Sequence, residues 1–93
     1  MKNNDTIQLF NLTPESDKMF RFICEWGFNW SGVPPCFDII QDEAGKGNMT
    51  DLKKKGLVDS FMDPDGEDYS WCHLTDLGES YANQLGVGFC KRA

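Results

Sequence analysis

The sequence is poor in the features that mark several protein classes. It contains one histidine, and its four cysteines include no C-x-x-C pair, so the usual ligand spacing of structural zinc is missing. No apolar run approaches the ~20 residues of a membrane span, and the first residues lack the apolar segment of a secretory signal. These absences predict a cytoplasmic protein with reduced thiols that has no metal, no cofactor and no membrane association.

Signatures of catalysis are also missing. The glycine-lysine-glycine segment at 45–47 is too short for a P-loop, which needs G-x-x-x-x-G-K-[ST] after a strand. The neighbouring carboxylates Asp42 and Glu43 have no histidine or apolar pocket within sequence reach, so nothing would adjust them for acid–base chemistry. Cys72 and His73 are adjacent on a predicted strand, where neighbouring side chains point to opposite faces. The sequence therefore predicts a protein without enzymatic activity.

Basic residues are few. Nine Lys and Arg stand against fifteen Asp and Glu, which gives a net charge of -6 and an isoelectric point near 4.5. DNA attracts proteins through basic side chains that release counterions from phosphates. An acidic protein therefore binds DNA only when its basic residues are concentrated on one face. The consecutive lysines at 53–55, with Lys46 shortly before them, keep DNA binding among the functions that the composition allows.

What the sequence does have is enough apolar side chain for one compact core. Its apolar share is 40%, with seven Phe, three Trp and two Tyr among 93 residues, the size of one domain. A first helix is predicted to begin at Thr13-Pro14-Glu15, where a capping hydroxyl precedes a proline and an acid. Its broad apolar stripe contains Met19, Phe20, Phe22, Ile23, Cys24, Trp26 and Trp30.

Two further helices are predicted before the first strand. The second begins at Pro34-Pro35 and ends at the glycines of 45–47. The third runs from Asn48 to Lys55, with Gly56 as its left-handed C-terminal cap. In the second helix the expected inward residues are Val33, Cys36, Phe37, Ile40 and Ala44, and the expected outward residues are Asp38, Gln41, Asp42 and Glu43.

The second half of the chain predicts a hairpin and a closing helix. Strands are expected over 57–62 and 69–74, joined by a turn at Asp63-Pro64-Asp65-Gly66. Cys72 and Leu74 should share one face of the second strand. Thr75 is expected to cap a last helix that ends at Gly86. Alternation places Tyr69, Trp71 and His73 on the opposite face of that strand, and Cys24, Cys36 and Cys72 are predicted to be small core residues.

This order resembles a winged helix-turn-helix domain, in which a recognition helix runs into a two-stranded wing and a closing helix. The segments L-K-K-K-G-L-V at 52–58 and H-L-T-D-L-G at 73–78 carry the likeness, which is similar to small phage or bacterial regulators of the MarR-like type. The resemblance implies an α+β fold with three helices, a two-stranded β-hairpin wing and a C-terminal helix. It predicts a domain over 13–86, an N-terminal arm or short strand over 1–12 and a C-terminal tail over 87–93.

The same resemblance implies a DNA-binding transcriptional regulator whose third helix enters the major groove. The groove-facing candidates are Asn48, Thr50 and Asp51, and the phosphate-contacting candidates are Lys46, Lys53 and Lys54. A homodimer is expected, held together by the N-terminal arm or the last helix. The alternative for the lysines is a solvated helix end that the helix dipole favours.

The predicted wing supports a second hypothesis. Wings of DNA-binding members usually offer basic side chains, whereas residues 63–68 of this predicted wing carry four carboxylates that phosphate would repel. Such a module would dock on a basic host protein, as a phage-encoded inhibitor of host defence (an anti-CRISPR protein, for example) or of host transcription would do. The alternative for Tyr69 and Trp71 is packing under the N-terminal arm. The candidate partner-binding residues are Asp63, Asp65, Glu67, Asp68, Tyr69 and Trp71.

Overall fold

A computed structural model describes residues 12–62 and 70–91. Within these ranges the chain forms four α-helices, a 3₁₀ turn and a two-stranded antiparallel sheet, so the predicted α+β class is confirmed. In the same ranges no helix combines the length and apolar character needed to cross a bilayer. The elements are α1 (Pro14–Trp26), the 3₁₀ turn (Gly27–Asn29), α2 (Cys36–Ile39), α3 (Glu43–Lys54), β1 (Val58–Met62), β2 (Ser70–Leu74) and α4 (Asp76–Leu85).

Helix α1 begins where the sequence predicts. The Thr13 hydroxyl accepts a hydrogen bond from the Ser16 N–H at 3.1 Å, and a proline occupies the first helical position. The interior face of the helix is buried, but the predicted stripe extends too far. Trp30 is 40% exposed, because α1 ends at Trp26 and the following 3₁₀ turn changes the direction in which side chains project. The buried residues of α1 are Ser16, Met19, Phe20, Ile23 and Cys24.

The predicted boundary between the second and third helices is wrong. Helix α2 is a single turn, and the chain is extended at Ile40 and Asp42. The Asp42 carboxylate accepts a hydrogen bond from the Gly45 N–H at 2.7 Å and so caps α3. The segment 45–47 therefore lies inside α3 instead of ending α2, because Asp42 supplies the hydrogen-bond partner that a helix start needs.

This shift also corrects the predicted faces of the second helix. Ala44 is exposed and Phe37 is 56% exposed, although both were expected to point inward. Asp38 was expected to point outward but is half-buried, and it accepts a hydrogen bond from Trp26 Nε1 at 2.9 Å. This bond ties α1 to α2. Cys36 is buried as predicted.

The sheet confirms both predicted strands to within one residue. Val58 pairs with Leu74 at one end of the register and Met62 pairs with Ser70 at the other. The predicted turn and Tyr69 lie outside the described residues. Pro35 forms a bridge with Trp71, so the segment that precedes α2 runs along β2.

The connections around α4 confirm three predicted caps. Gly56 has a φ of +77° and Gly86 has a φ of +75°, both in the left-handed region that favours glycine. The Thr75 hydroxyl accepts from the Gly78 N–H at 2.9 Å and donates to the Gly56 carbonyl. Thr75 therefore caps α4 and also fastens it to the end of α3.

The core lies between α1, α3, the sheet and α4. Cys24, Cys36 and Cys72 belong to it as free thiols, as the sequence predicts. His73 shares a strand face with Trp71, as alternation requires, yet it is only 7% exposed. Its Nδ1 lies 2.8 Å from the Leu74 carbonyl oxygen, and its ring centroid lies 6.1 Å from that of Phe61. The end of β2 is therefore covered on both faces.

Candidate nucleic-acid interface

The six candidate DNA-binding residues all lie on α3, but they fall into two groups. Helical spacing places the three lysines and Thr50 on a single solvent-facing side of α3, together with Gly47. The other two candidates are half-buried. The exposed face of α3, as the term is used below, comprises Lys46, Gly47, Thr50, Lys53 and Lys54, whereas Asn48 and Asp51 form the half-buried group.

The half-buried group is held by contacts beside α1. The Ser16 hydroxyl donates to Asn48 Oδ1 at 3.5 Å. Lys55 Nζ donates to Asp51 Oδ1, and this hydrogen bond lowers the pKa of Asp51, with smaller contributions from a Ser16 hydrogen bond and from the charges of Lys55 and Lys54. The predicted role of Asn48 and Asp51 at base edges stays a prediction, and these contacts compete with it.

Within the described residues, the exposed face of α3 is held only by local contacts. Lys46 Nζ lies 3.1 Å from Glu43 Oε1, and the two side chains are 66% and 88% exposed. Such a solvent-exposed pair contributes little stability, so Lys46 exchanges Glu43 for another anion at little cost. The Thr50 hydroxyl donates to the Lys46 carbonyl at 2.9 Å, and Thr50 is exposed. A Cβ atom at Gly47 would meet no atom of the described residues within 4 Å.

Charge is distributed unevenly over the molecule. Of the nine basic residues in the chain, four lie between positions 46 and 55. The two acidic residues of α3, Glu43 and Asp51, each pair with a lysine of the same segment. With four lysines against two acids, the segment 43–55 carries a net charge of +2, opposite in sign to the chain as a whole.

The elements that position α3 follow a simple arrangement. Three residues, 40–42, separate α2 from α3, which is the turn length of helix-turn-helix units. Helix α1 packs against both helices. β1 and β2 follow α3, and β2 leads directly into α4. The exposed face of α3 is thus presented by a scaffold that buries the opposite side of the helix through Met49 and Leu52.

A second exposed feature is an aromatic surface formed by Trp30, Phe61 and Trp71. Phe61 pairs directly with Trp71 across the sheet, and the Trp30 ring centroid lies 5.9 Å from that of Trp71. Phe61 is 45% exposed and Trp71 is half-buried. Sequence reasoning missed Trp30 and Phe61, because a hairpin register centred on the predicted turn at 63–66 pairs position 61 with position 68, whereas the observed register pairs Phe61 with Trp71. The other candidate partner-binding residues, Asp63, Asp65, Glu67, Asp68 and Tyr69, lie outside the described residues.

The described part of the chain brings together no group of three His, Cys, Asp or Glu side chains that would hold a metal ion. Comparisons of this chain with protein-family models, with curated proteins and with solved structures find no match. The interpretation of the site therefore rests on the geometry and charge of its own residues.

Proposed function

We propose that this chain is a small cytoplasmic winged helix-turn-helix protein that binds double-stranded DNA and regulates transcription without catalytic activity. The observation that carries the proposal is the exposed face of α3, where Lys46, Lys53 and Lys54 surround Thr50 behind a three-residue turn. In this proposal β1 and β2 form the wing and α4 is the closing helix. A homodimer would read one half-site per subunit.

The dimensions of α3 suit the major groove. Lys53 lies seven positions after Lys46, which corresponds to about 10 Å along a helix axis. The major groove of B-DNA is about 12 Å wide, so lysines at the two ends of the exposed face reach the phosphates of opposite strands. Thr50 lies between them, where its methyl group suits the thymine methyl and its hydroxyl suits a base edge. Gly47 adds no side chain that would keep the helix backbone away from the DNA.

The salt dependence of DNA binding tests this proposal. We expect the protein to bind a fluorescently labelled duplex of mixed sequence with micromolar affinity at low salt and to lose that affinity steeply as salt is raised. In the double variant Lys53→Gln, Lys54→Gln, the slope of log K against log salt should fall by about 2, because each phosphate contact contributes about 1. Fluorescence anisotropy measures both quantities.

A control variant with the same change in net charge distinguishes a phosphate contact of the α3 lysines from a general effect of protein charge. The double variant Lys18→Gln, Lys91→Gln removes the same charge from exposed positions outside α3 and should leave the salt slope nearly unchanged. If the salt slope fell equally in the two double variants, or if the wild-type protein did not bind DNA at low salt, α3 would not be a DNA-binding helix.

The aromatic surface supports a second candidate function, that of a protein-interaction module for a basic partner. Exposed aromatic residues are frequent energetic centres of protein interfaces, and the net charge of -6 favours a basic surface. Under this proposal, Phe61→Ala should abolish retention of a basic host protein in affinity capture. Phe28→Ala removes another exposed ring, 59% exposed, and should leave retention intact. Loss of retention in both variants, or in neither, would exclude the aromatic surface as the docking site.

A further inference from the structure

Cys36 and Cys72 are brought together in the core although they are distant in sequence. Pro35 bridges Trp71, and the Cys72 N–H donates to the Pro34 carbonyl at 3.0 Å. In an antiparallel pair this register places Cys36 and Cys72 on the same face. Both side chains are buried in the core, and the Cys72 thiol donates to the Pro34 carbonyl oxygen at 3.6 Å.

We propose that Cys36 and Cys72 form a reversible oxidation site, at which hydrogen peroxide converts the two thiols into an intramolecular disulfide that ties α2 to β2. The proposal is independent of what α3 binds. It requires the two sulfur atoms to approach to a bonded distance of about 2 Å. Cys36 and Cys72 are diagonal neighbours across the bridge between Pro35 and Trp71, so their side chains close this distance across a contact that the backbone already makes.

The two thiols differ in the way that such a reaction requires. Cys36 is 6% exposed whereas Cys72 is fully buried, so peroxide reaches Cys36 first. Interaction with the neighbouring Cys72 thiol lowers the pKa of Cys36 to about 6 against the opposing effect of burial, and interactions with Ser70 and the Lys53 charge contribute in the same direction. Interaction with Cys36 and burial raise the pKa of Cys72. Cys36 is therefore the attacking thiolate, since the thiolate is the nucleophilic form of cysteine.

The reaction proceeds in two balanced steps. The Cys36 thiolate attacks one peroxide oxygen, the O–O bond breaks, and the departing hydroxide takes up a proton and leaves as water, so that Cys36 becomes a sulfenic acid. The Cys72 sulfur then attacks the Cys36 sulfur, the S–O bond breaks, and the oxygen leaves as a second water with the proton of Cys72. The two thiols lose two electrons and one peroxide gains them.

The other two cysteines lack this arrangement. Cys24 is also buried in the core, but burial raises its pKa to about 12. A thiol of that pKa stays protonated at neutral pH and reacts slowly. Cys90 lies after α4 and is partly exposed. Cys24 is therefore a matched control, and Cys90 is best removed because an exposed thiol forms bonds between molecules.

Oxidation of the folded full-length chain tests the inference. The Cys90→Ser protein is reduced, treated with hydrogen peroxide under native conditions, denatured, alkylated and mapped by mass spectrometry. We expect a loss of the mass of two hydrogen atoms, a cross-linked peptide pair that contains Cys36 and Cys72, and alkylation of Cys24 alone. Dithiothreitol should restore alkylation of all three cysteines.

Three further variants in the Cys90→Ser background assign the roles. Cys36→Ser and Cys72→Ser should lose the cross-link, and Cys24→Ser should keep it. Circular dichroism verifies that each variant is folded. The peptide map of the Cys90→Ser protein tests the disulfide even if one of these variants fails to fold. Three results would overturn the proposal. One is a cross-link that includes Cys24, and another is overoxidation of Cys36 while Cys72 is still alkylated. The third is that Cys36 and Cys72 both remain thiols under conditions that fully oxidise Cys90 of the wild-type chain.

Discussion

At the scale of single residues, two helical glycines differ in the space that surrounds them: Gly78 is tightly packed and Gly47 is open. A Cβ atom at Gly78 in α4 would lie 2.0 Å from the Leu57 carbonyl oxygen and 3.4 Å from Leu74 Cβ. The backbone of α4 therefore packs directly on the segment that precedes β1. At Gly47 in α3 a Cβ atom would meet nothing within 4 Å. The first glycine is required by packing, whereas the second is not.

We expect opposite effects of alanine at these two positions. Gly78→Ala should lower the free energy of unfolding by about 1–3 kcal/mol or more, because the clash is with backbone that does not move aside easily. Gly47→Ala should raise it by about 0.5–1 kcal/mol, because alanine is the better helix former at an open position. Urea denaturation followed by tryptophan fluorescence measures both. Destabilisation of similar size in the two variants would contradict the packing of α4.

The ion pair of Asp51 with Lys55 gives a dependence of stability on pH. The folded-state pKa of Asp51 is lowered, mainly by the Lys55 hydrogen bond, so the contribution of the pair is fully present above the unfolded carboxyl pKa of about 4. It is lost as pH falls through the lower folded value. The free energy of unfolding of wild type should exceed that of Asp51→Asn by about 0.5 kcal/mol at neutral pH.

Chemical denaturation at a series of pH values checks this expectation. The difference between wild type and Asp51→Asn should shrink as the solution is acidified below about pH 4. A double-mutant cycle with Lys55→Gln assigns the effect to the pair. A difference that grows on acidification, or a cycle with no coupling at neutral pH, would show that the pair contributes nothing to folding.

At the scale of elements, helix ends were predictable where one local side chain makes the cap. Thr13, Gly56, Thr75 and Gly86 are all confirmed, because each cap depends on residues within one turn. Asp42 was missed. Gly45 and Gly47 suggest the end of a helix because glycine is a poor helix former. The hydrogen bond from the Gly45 N–H to the Asp42 carboxylate instead begins α3 at this point. An acidic residue followed by a second acid at the first helical position is the signal for this start.

The candidate site was predictable to a similar extent. The lysines of α3 are exposed because charged side chains remain in water unless they are paired. The direction of Asn48 depends on Ser16, which lies on another helix, and no local pattern contains that information. The pair of Asp51 with Lys55, in contrast, follows from their i,i+4 spacing. The burial of His73 and the contact of Trp30 with Trp71 also arise from tertiary packing.

The double function of Thr75 gives a prediction for the connection between α3 and α4. Thr75→Ala removes both the cap on Gly78 and the hydrogen bond to Gly56, so we expect a loss of about 2–3 kcal/mol in the free energy of unfolding. Thr13→Ala removes a cap alone and should lose about 1 kcal/mol. Thermal and urea denaturation measure these differences.

A conservative substitution serves as the control. Thr75→Ser keeps the hydroxyl and should retain most of the stability, which separates the hydrogen bonds from the loss of the methyl group. Equal losses in Thr75→Ala and Thr13→Ala would mean that the bond to Gly56 contributes nothing.

At the scale of the whole molecule, the average charge and the local charge have opposite signs. The net charge of -6 repels DNA at a distance, whereas the segment 46–55, which spans most of α3 and the residue after it, contains four lysines. Screening reduces the long-range repulsion, since the Debye length is about 10 Å at 0.1 M salt. Under the proposed function, we therefore expect binding through α3 to be governed by the charges nearest the exposed face and to be weakened by distant acids only at low salt.

Two single substitutions, one of an acid beside the exposed face of α3 and one of an acid far from it, test whether local charge or net charge governs DNA binding. Glu43 pairs with Lys46 at the start of α3, so Glu43→Gln releases that lysine and should tighten DNA binding by about 2–5-fold, the equivalent of one surface ion pair. Glu25→Gln makes the same change in net charge from an exposed position on α1 and should change affinity less than Glu43→Gln at moderate salt. Anisotropy titrations at several salt concentrations compare them. If the two variants gained equally at every salt concentration, DNA would be responding to net charge alone, and the exposed face of α3 would not be the surface that meets it.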